Sequence, residues 1–500
     1  MRNFLGCFSI LAVFSPKVYL GARADLQWIE NCDEKQAEVW KKIDPKQMND
    51  RSRQKYDLTK GSIPKSIWIL AWPMVLGNLL QNLFNIVDMI FVGRLGPDAI
   101  GAVAMSGILM SVVWTFLAGV SMGTRAMVSR FFGAGDIGQT KIVVYQSLIL
   151  GAVLSVLLAI LGLFFAAPAL KALGAAPEVV RLGTPYLTII FLGSFALIIF
   201  FLISSVLRGI GDSLTPMKVW ALATVLNIVL DPILIFGLGP APRLGVSGAA
   251  IATVTGQGIG MVIGLWILFR GISLIQIHLR EFRLNPNIIW RIIKIAIPGS
   301  VQGGVRSLGD LFIMRIVAIY GTVAVAAYGV GLRVLMFVML PGWALGSTAA
   351  SLVGLNLGAK KPERAEKSAR YTAGYYLLFV IPMGILFFAA PEWVMRIFNS
   401  DPNVLRIGGE YLRITTLAYP FLAVGLITGM AQSGAGDTTT PMIVIITGIF
   451  AVQIPLALLL PKLLSSETSG IWLAIASAYT LQGILMVYFF SRGKWKRKKV

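Results

Sequence analysis

Five polar residues stand in line on an otherwise apolar stretch: Asn78, Gln81, Asn82, Asn85 and Asp88. At about 100° per residue, their spacing keeps them within an arc of roughly 120° on one helix face. Amides in a row can be glue between helices. A row that ends in a carboxylate suits the wall of a water-filled cavity better, and that is the preferred reading. A second pair, Asn227 and Asp231, is spaced i, i+4 and followed by Pro232. The spacing stacks amide and carboxylate on one face. Pro232 has no amide proton, so the backbone is loosened one turn back. Carboxylate, amide oxygen and freed carbonyl make a hard-oxygen set for a small cation. Uptake of a proton by one of two close Asp residues would neutralise the same group; an Asp capping the next turn is the purely structural alternative. Arg306 and Asp310 repeat the i, i+4 spacing, with Arg315 beyond them. A self-neutralising ion pair is expected there, with a contact to a transported compound as the alternative.

Such groups need elements that hold them inside an apolar solvent. Of the 500 residues, 56% are hydrophobic and 13% charged, and the mean hydropathy is +0.77, the composition of a membrane protein. Uncharged runs such as 142–170, 182–207 and 438–461 exceed the roughly 20 residues a helix needs to cross a bilayer. Counting runs broken by single charges gives twelve spans, and the chain carries its pattern twice. Pro73, Gly133-Ala134, Tyr186, Gly211-Asp212 and Thr215-Pro216-Met217 return 225 positions later as Pro298, Gly358-Ala359, Tyr411, Gly436-Asp437 and Thr440-Pro441-Met442. Six spans per copy give both copies the same orientation. The expected fold is an all-α integral membrane protein: twelve transmembrane helices in two six-helix lobes, a parallel repeat about a pseudo-two-fold along the membrane normal. The expected organisation is a polar leader over 1–60, an N-lobe over 61–275, a linker over 276–290, a C-lobe over 291–492 and a basic tail over 493–500. Ile313, Val452 and Leu456 stand opposite Asp88, Asn227 and Asp231, so the carboxylate chemistry belongs to the N-lobe alone.

The net charge of +21 is read as topology. With the N-terminus placed in the cytoplasm, the inner loops and tail hold 20 Lys and Arg against seven outside. Both termini are therefore expected in the cytoplasm, with the protein in the plasma membrane. The basic residues face anionic lipid headgroups, and the tail around Trp495 is expected to anchor at the interface. No nucleic-acid-binding fold accompanies the charge. Cys7 and Cys32 have no metal-ligand spacing, and a cytoplasmic disulfide is not expected. The one histidine, His278, lies in the linker, which leaves no histidine relay within the membrane. There is no GxxxxGK[ST], so ATP hydrolysis is excluded for this chain and energy must come from an ion gradient or a partner. No catalytic residue and no cofactor is expected, only a coupling ion.

At these residues the chain resembles the multidrug and toxic compound extrusion (MATE) transporters. The resemblance covers about 61–491 and rests on Ala71-Trp72-Pro73, on 87–96 around Asp88, on Phe132-Gly133-Ala134-Gly135-Asp136, on Arg208-Gly209-Ile210-Gly211-Asp212 and on 245–253. The Asn227-x-x-x-Asp231 spacing is similar to that of the DinF-like branch. The resemblance implies an N-lobe site for H+ or Na+ at Asp88, Asn227 and Asp231, with Tyr186 and Thr253 nearby. It makes Pro73 the kink of the first span and places Asn78 and Gln81, with Asn82 and Asn85 in the same row, on the substrate cavity. Pro298 is followed by Gln302 and Arg306, not by the acidic residue of another branch, which argues against a C-lobe ion site. The implied activity is antiport: an amphiphilic, often cationic organic compound leaves as H+ or Na+ enters, by alternating access in a monomer. The alternative is a flippase of the MOP superfamily for lipid-linked oligosaccharide precursors, whose diphosphate Arg306 and Arg315 would suit.

The first sixty residues do not share the pattern of the rest, and Met48 begins a short polar leader into the first span. Translation is expected to start there, with 1–47 an extension of the reading frame. Intact mass of the native protein checks this: a mature chain that retains Cys7 and Cys32 refutes it.

Overall fold

The computed structural model describes residues 57–239, 241–464 and 467–498. Met48, Cys7, Cys32 and the proposed extension lie outside the described residues. Within them the chain forms sixteen α-helices. The N-lobe contains α1 (Ile63–Gly93), α2 (Pro97–Gly133), α3 (Ile137–Ala172), α4 (Pro177–Leu192), α5 (Ser194–Gly209), α6 (Leu214–Phe236) and α7 (Val246–Arg270). The C-lobe contains α8 (Pro286–Ala318), α9 (Thr322–Gly358), α10 (Pro362–Ala389), the short α11 (Pro391–Arg396), α12 (Pro402–Thr416), α13 (Tyr419–Gly434), α14 (Thr439–Ile446), α15 (Ile454–Leu463) and α16 (Glu467–Ser491). A π-helical turn over Thr447–Gln453 joins α14 to α15.

Nine segments are long and apolar enough to cross a bilayer unbroken, with α14 to α15 counted as one. Two further spans are bent pairs, α4–α5 at 48° and α12–α13 at 54°, which occupy matching places in the two lobes. The twelfth is α8, whose 33 residues span about 50 Å at 1.5 Å each. It is less apolar than the others because it carries Arg291, Lys294, Arg306, Asp310 and Arg315. The architecture is the expected all-helical, two-lobed membrane bundle.

Backbone proximity locates the axis between the lobes. A Cβ added at Gly133 of α2 would strike the Leu355 carbonyl of α9, and one at Gly358 of α9 would strike the Arg130 carbonyl of α2. These two contacts exchange under the 225-residue shift, so the pseudo-two-fold runs between α2 and α9 at this level. The seam continues where Gly119 and Gly123 of α2 meet Ala296 and Ile292 of α8. Small residues let these helices approach without side chains between them. The seam occupies the end of the bundle where Thr59 and Lys498 dock: Leu352–Gly358 of α9 is buried without interruption.

The repeated Gly-Asp motifs are turn chemistry. Gly211 and Gly436 adopt φ of 94° and 89°, which only glycine takes without strain. Asp212 then accepts from the Thr215 amide (3.0 Å) and the Ser273 hydroxyl (2.7 Å). Asp437 accepts from the Thr440 hydroxyl (2.8 Å) and faces Lys498 at 3.6 Å. The post-α7 segment and the C-terminal tail thus dock on equivalent aspartates.

The tail differs from the interfacial anchor expected for it. Trp495 is 1% exposed, stacks on Phe490 at 4.9 Å and donates its indole N–H to the Phe490 carbonyl at 2.8 Å. Lys496 pairs with Glu366 of α10, and the Lys498 carbonyl accepts from Arg130 of α2 at 3.2 Å. A side chain this large fills a slot that lipid cannot supply in the same shape. Trp495→Ala is expected to cost about 3–5 kcal/mol, read as a lowered thermal unfolding midpoint in detergent; an unchanged midpoint would return the tail to the interface.

Candidate functional site

Asp88 comes from α1, and Asn227 and Asp231 come from α6, which packs alongside it. Asp88 is 7% exposed, and Asn227 and Asp231 are both 0% exposed. The i, i+4 spacing does what it predicts: Asn227 Nδ2 donates to Asp231 Oδ1 at 3.1 Å. That bond leaves three buried oxygens without a partner: Asp88 Oδ1, Asn227 Oδ1 and Asp231 Oδ2. Unsatisfied buried acceptors are costly, and three in one place call for a bound proton or cation. Among the described residues there is no group of three or more His, Cys, Asp or Glu. The donor set is therefore all oxygen, with only two carboxylates.

Tyr186 of α4 is half-buried and packs against the cluster that contains Val92 and Ile235, one turn beyond Asp88 and Asp231. Thr253 lies on α7, one turn before Gly256, where an added Cβ would stand 3.6 Å from the Asn227 Cβ. Thr253 is half-buried and flanks the site rather than closing it. Pro232 leaves the Ile228 carbonyl without its helical donor, beside the same pair.

Pro73 stays inside α1, which runs unbroken from Ile63 to Gly93. The missing N–H frees the Ile69 carbonyl, and the Ser213 hydroxyl donates to it at 3.3 Å. In the C-lobe the 225-shifted partner of Ser213, Thr438, donates to the Ile295 carbonyl at 2.9 Å, one residue past the Lys294 carbonyl that Pro298 frees. A hydroxyl from the loop before the fifth span thus meets each proline helix in the turn before its proline, and in the N-lobe it meets the freed carbonyl itself.

The polar row on α1 changes environment along its length. On the face that carries it, Ile67, Leu70, Ala71 and Met74 are buried, with Met74 Sδ 3.4 Å from the Thr348 hydroxyl of α9. Farther on, Asn78 and Gln81 are half-buried, and Asn82 and Asn85 are exposed. Asn82 donates to the Asn78 carbonyl at 2.8 Å, so these amides are not bonded across to another helix. One helix face is sealed at the terminus-bearing end and open at the other, which describes a cleft between the lobes.

The α8 helix repeats this pattern, which residue-by-residue reading of the sequence missed. Gly303, Arg306, Ser307 and Asp310 are the shifted partners of Asn78, Gln81, Asn82 and Asn85, and their exposure matches: the first two half-buried, the last two exposed. The 225-residue register, applied to polar as well as identical positions, was the signal that would have found them. The self-neutralising Arg306–Asp310 pair expected from the spacing does not form. Among the described residues, neither side chain makes an ion pair or hydrogen bond. Arg306 instead sits among Asp310, Tyr479 of α16 and, beyond them, Tyr328 of α9. Arg315 is exposed in the last turn of α8, outside this row.

Two lobes of membrane-spanning helices, with an acidic pair buried in one of them, have the architecture of a multi-pass membrane transporter. The MatE family model matches residues 73–233 and 298–459; the chain belongs to this family, the MATE transporters. It is 29% identical over 466 residues, 89% of this chain and 98% of the other, to the probable multidrug resistance protein NorM of Thermotoga maritima. It is 26% identical over 445 residues, 88% and 97% of the two chains, to a FAD transporter of Shewanella oneidensis. Among solved structures, the outward-facing conformation of a multidrug resistance MATE family transporter of the MOP superfamily matches with a TM-score of 0.81 at 25% identity, over 89% of this chain and 99% of that one.

Removing one member of the buried pair should cost more than removing both. Asn227→Ala leaves Asp231 without its hydrogen bond and is expected to destabilise by about 1–3 kcal/mol. Adding Asp231→Leu should recover part of that loss. Thermal unfolding of the single and double variants in detergent measures the difference; additive losses would mean that the pair is not coupled.

Proposed function

We propose that the protein is a secondary efflux transporter of the plasma membrane, with both termini in the cytoplasm. It acts as a monomer and exports amphiphilic, often cationic organic compounds as H+ or Na+ enters. The observation that carries this reading is the set of three unpartnered buried oxygens, Asp88 Oδ1, Asn227 Oδ1 and Asp231 Oδ2, beside the cleft. The multidrug resistance names of the relatives support the same cargo class. The amides of Asn78, Gln81, Asn82 and Asn85 offer donors and acceptors in either rotamer to cargo of varied shape.

The coupling follows from where the oxygens sit. Asp88 lies on the helix that carries both the amide row and Pro73, so a cation or proton at Asp88 bears on the wall that holds cargo. Loading neutralises a buried carboxylate and draws α1 toward α6. The Ser213-held carbonyl at Pro73 is the point where α1 can bend in response. Drug is released on the open side as the ion loads; the lobes then rock so that the α2–α9 seam parts and the ion is exposed to the other side. Exchange requires ion and drug to prefer different conformations, since a ligand with equal affinity for both shifts nothing.

The test is reconstitution in liposomes, with efflux of a fluorescent cationic dye followed under an imposed Na+ gradient and separately under a pH gradient. Wild type should respond to one of the two, and Asp88→Asn should fall to the level of protein-free vesicles while inserting normally. Undiminished gradient-driven efflux by Asp88→Asn refutes the assignment.

A further inference from the structure

We propose that Arg306 is the seat of an oxyanion on the transported compound, so that this transporter accepts amphiphiles that carry a carboxylate or phosphate group. The inference rests on the reading of the cleft as the cargo path and narrows which cargo the cleft fits.

The two helices that line the cleft have different chemistry at matching positions. On α1 the row is Asn78, Gln81, Asn82 and Asn85, all neutral. On α8 the same positions hold Gly303, Arg306, Ser307 and Asp310. A guanidinium within a membrane span is expensive and is ordinarily matched by an opposite charge. Asp310, one turn along, is the acid that acts on it, yet the two side chains form no bridge within 4.0 Å and Asp310 is exposed. The other elements around Arg306 offer no second acid. The α16 helix presents Tyr479 and α9 presents Tyr328. Thr115 of α2 packs at Gly303, and Ile449 of the π-helical turn packs at Gly309. Both phenols are neutral.

The guanidinium is therefore held by the fold and left with its donors unclaimed. Its planar fork matches carboxylate and phosphate oxygens two at a time. Gly303, one turn before it, adds no bulk at the corresponding place on α8, where α1 carries Asn78. The C-lobe wall is thus bipolar, with Arg306 deeper and Asp310 nearer the open end. The acidic pocket at Asp88 and Asp231 lies in the opposite lobe. A compound that seats its oxyanion on Arg306 leaves that pocket free, so cargo and coupling ion do not compete for one charge.

Equilibrium binding and transport are measured separately on the full-length protein. Three fluorescent probes are used: FAD, which carries a diphosphate; riboflavin, which has the same ring and no phosphate; and ethidium, a cation. Wild type in detergent should bind FAD at least about tenfold more tightly than riboflavin, the low end for charge-assisted hydrogen bonds. Arg306→Gln should bring the two flavins to equal affinity with the thermal unfolding midpoint at the wild-type value; Arg306→Lys should keep part of the preference. Equal flavin affinities in wild type, or a preference that survives Arg306→Gln, overturns the proposal. So does an Arg306→Gln protein that loses the preference only together with a lowered unfolding midpoint, because Arg306 would then serve packing and not cargo. A fluorescent prenyl diphosphate that crosses between leaflets only when Arg306 is present, while FAD is bound but not moved, supports the seat and assigns its oxyanion to a lipid. Arg306-dependent FAD binding with no efflux of any probe under either gradient would keep the seat and reject the antiport reading instead.

Discussion

The close approach of α2 and α9 at Gly133 and Gly358 is the constraint on which the rest of the molecule hangs. Each glycine faces a backbone carbonyl of the opposite lobe, so the helices touch main chain to main chain, and any side chain there would part them. The seam is at one end only. Two lobes joined at one end and separated at the other must leave a cleft, and in a membrane the surfaces of a cleft can be polar where lipid-facing surfaces cannot. The amide row of α1 and the Arg306–Asp310 row of α8 are possible because the seam closes below them.

Within that frame the lobes have diverged where function requires it and agree where folding requires it. Both use a proline in the first span, a hydroxyl to hold the carbonyl beside it, and an aspartate to order the loop before the fifth span. They part company at the ion pocket. The N-lobe puts Asn227 and Asp231 on a regular helix next to Pro232, where the C-lobe has Val452 and Leu456 close to a π-helical turn. Duplication supplied two copies of one scaffold, and the acidic pocket was kept in one.

The Asn227–Asp231 pair illustrates how a local rule becomes a site. Its hydrogen bond satisfies one carboxylate oxygen and one amide nitrogen. The remaining oxygens stay unsatisfied because α1, α6 and α7 exclude bulk water from them. An exposed pair of the same spacing would have its lone pairs met by solvent and would attract nothing in particular. Burial converts an ordinary i, i+4 contact into one with unpartnered oxygens.

Much was legible in the chain alone, because membrane solvent imposes one-dimensional rules. Apolar length determined the spans, the 225-residue repeat determined two like-oriented lobes, and the spacing of Asn227 and Asp231 determined their hydrogen bond. Folding decided what depends on several helices meeting. Local spacing suggested that Arg306 and Asp310 would neutralise each other; in the structure they act on each other without closing an ion pair within 4.0 Å, and Asp310 is exposed. The basic tail read as an interfacial anchor, yet Trp495 is packed inside the bundle, because α10 and the Asp437 turn offer its flanking lysines partners closer than lipid. Which oxygens are left without partners, and that matching positions of α1 and α8 share one pattern of exposure, are facts of three-dimensional packing. Spacing along a helix says which side chains share a face; only the neighbours of that face determine whether it meets protein, lipid or water.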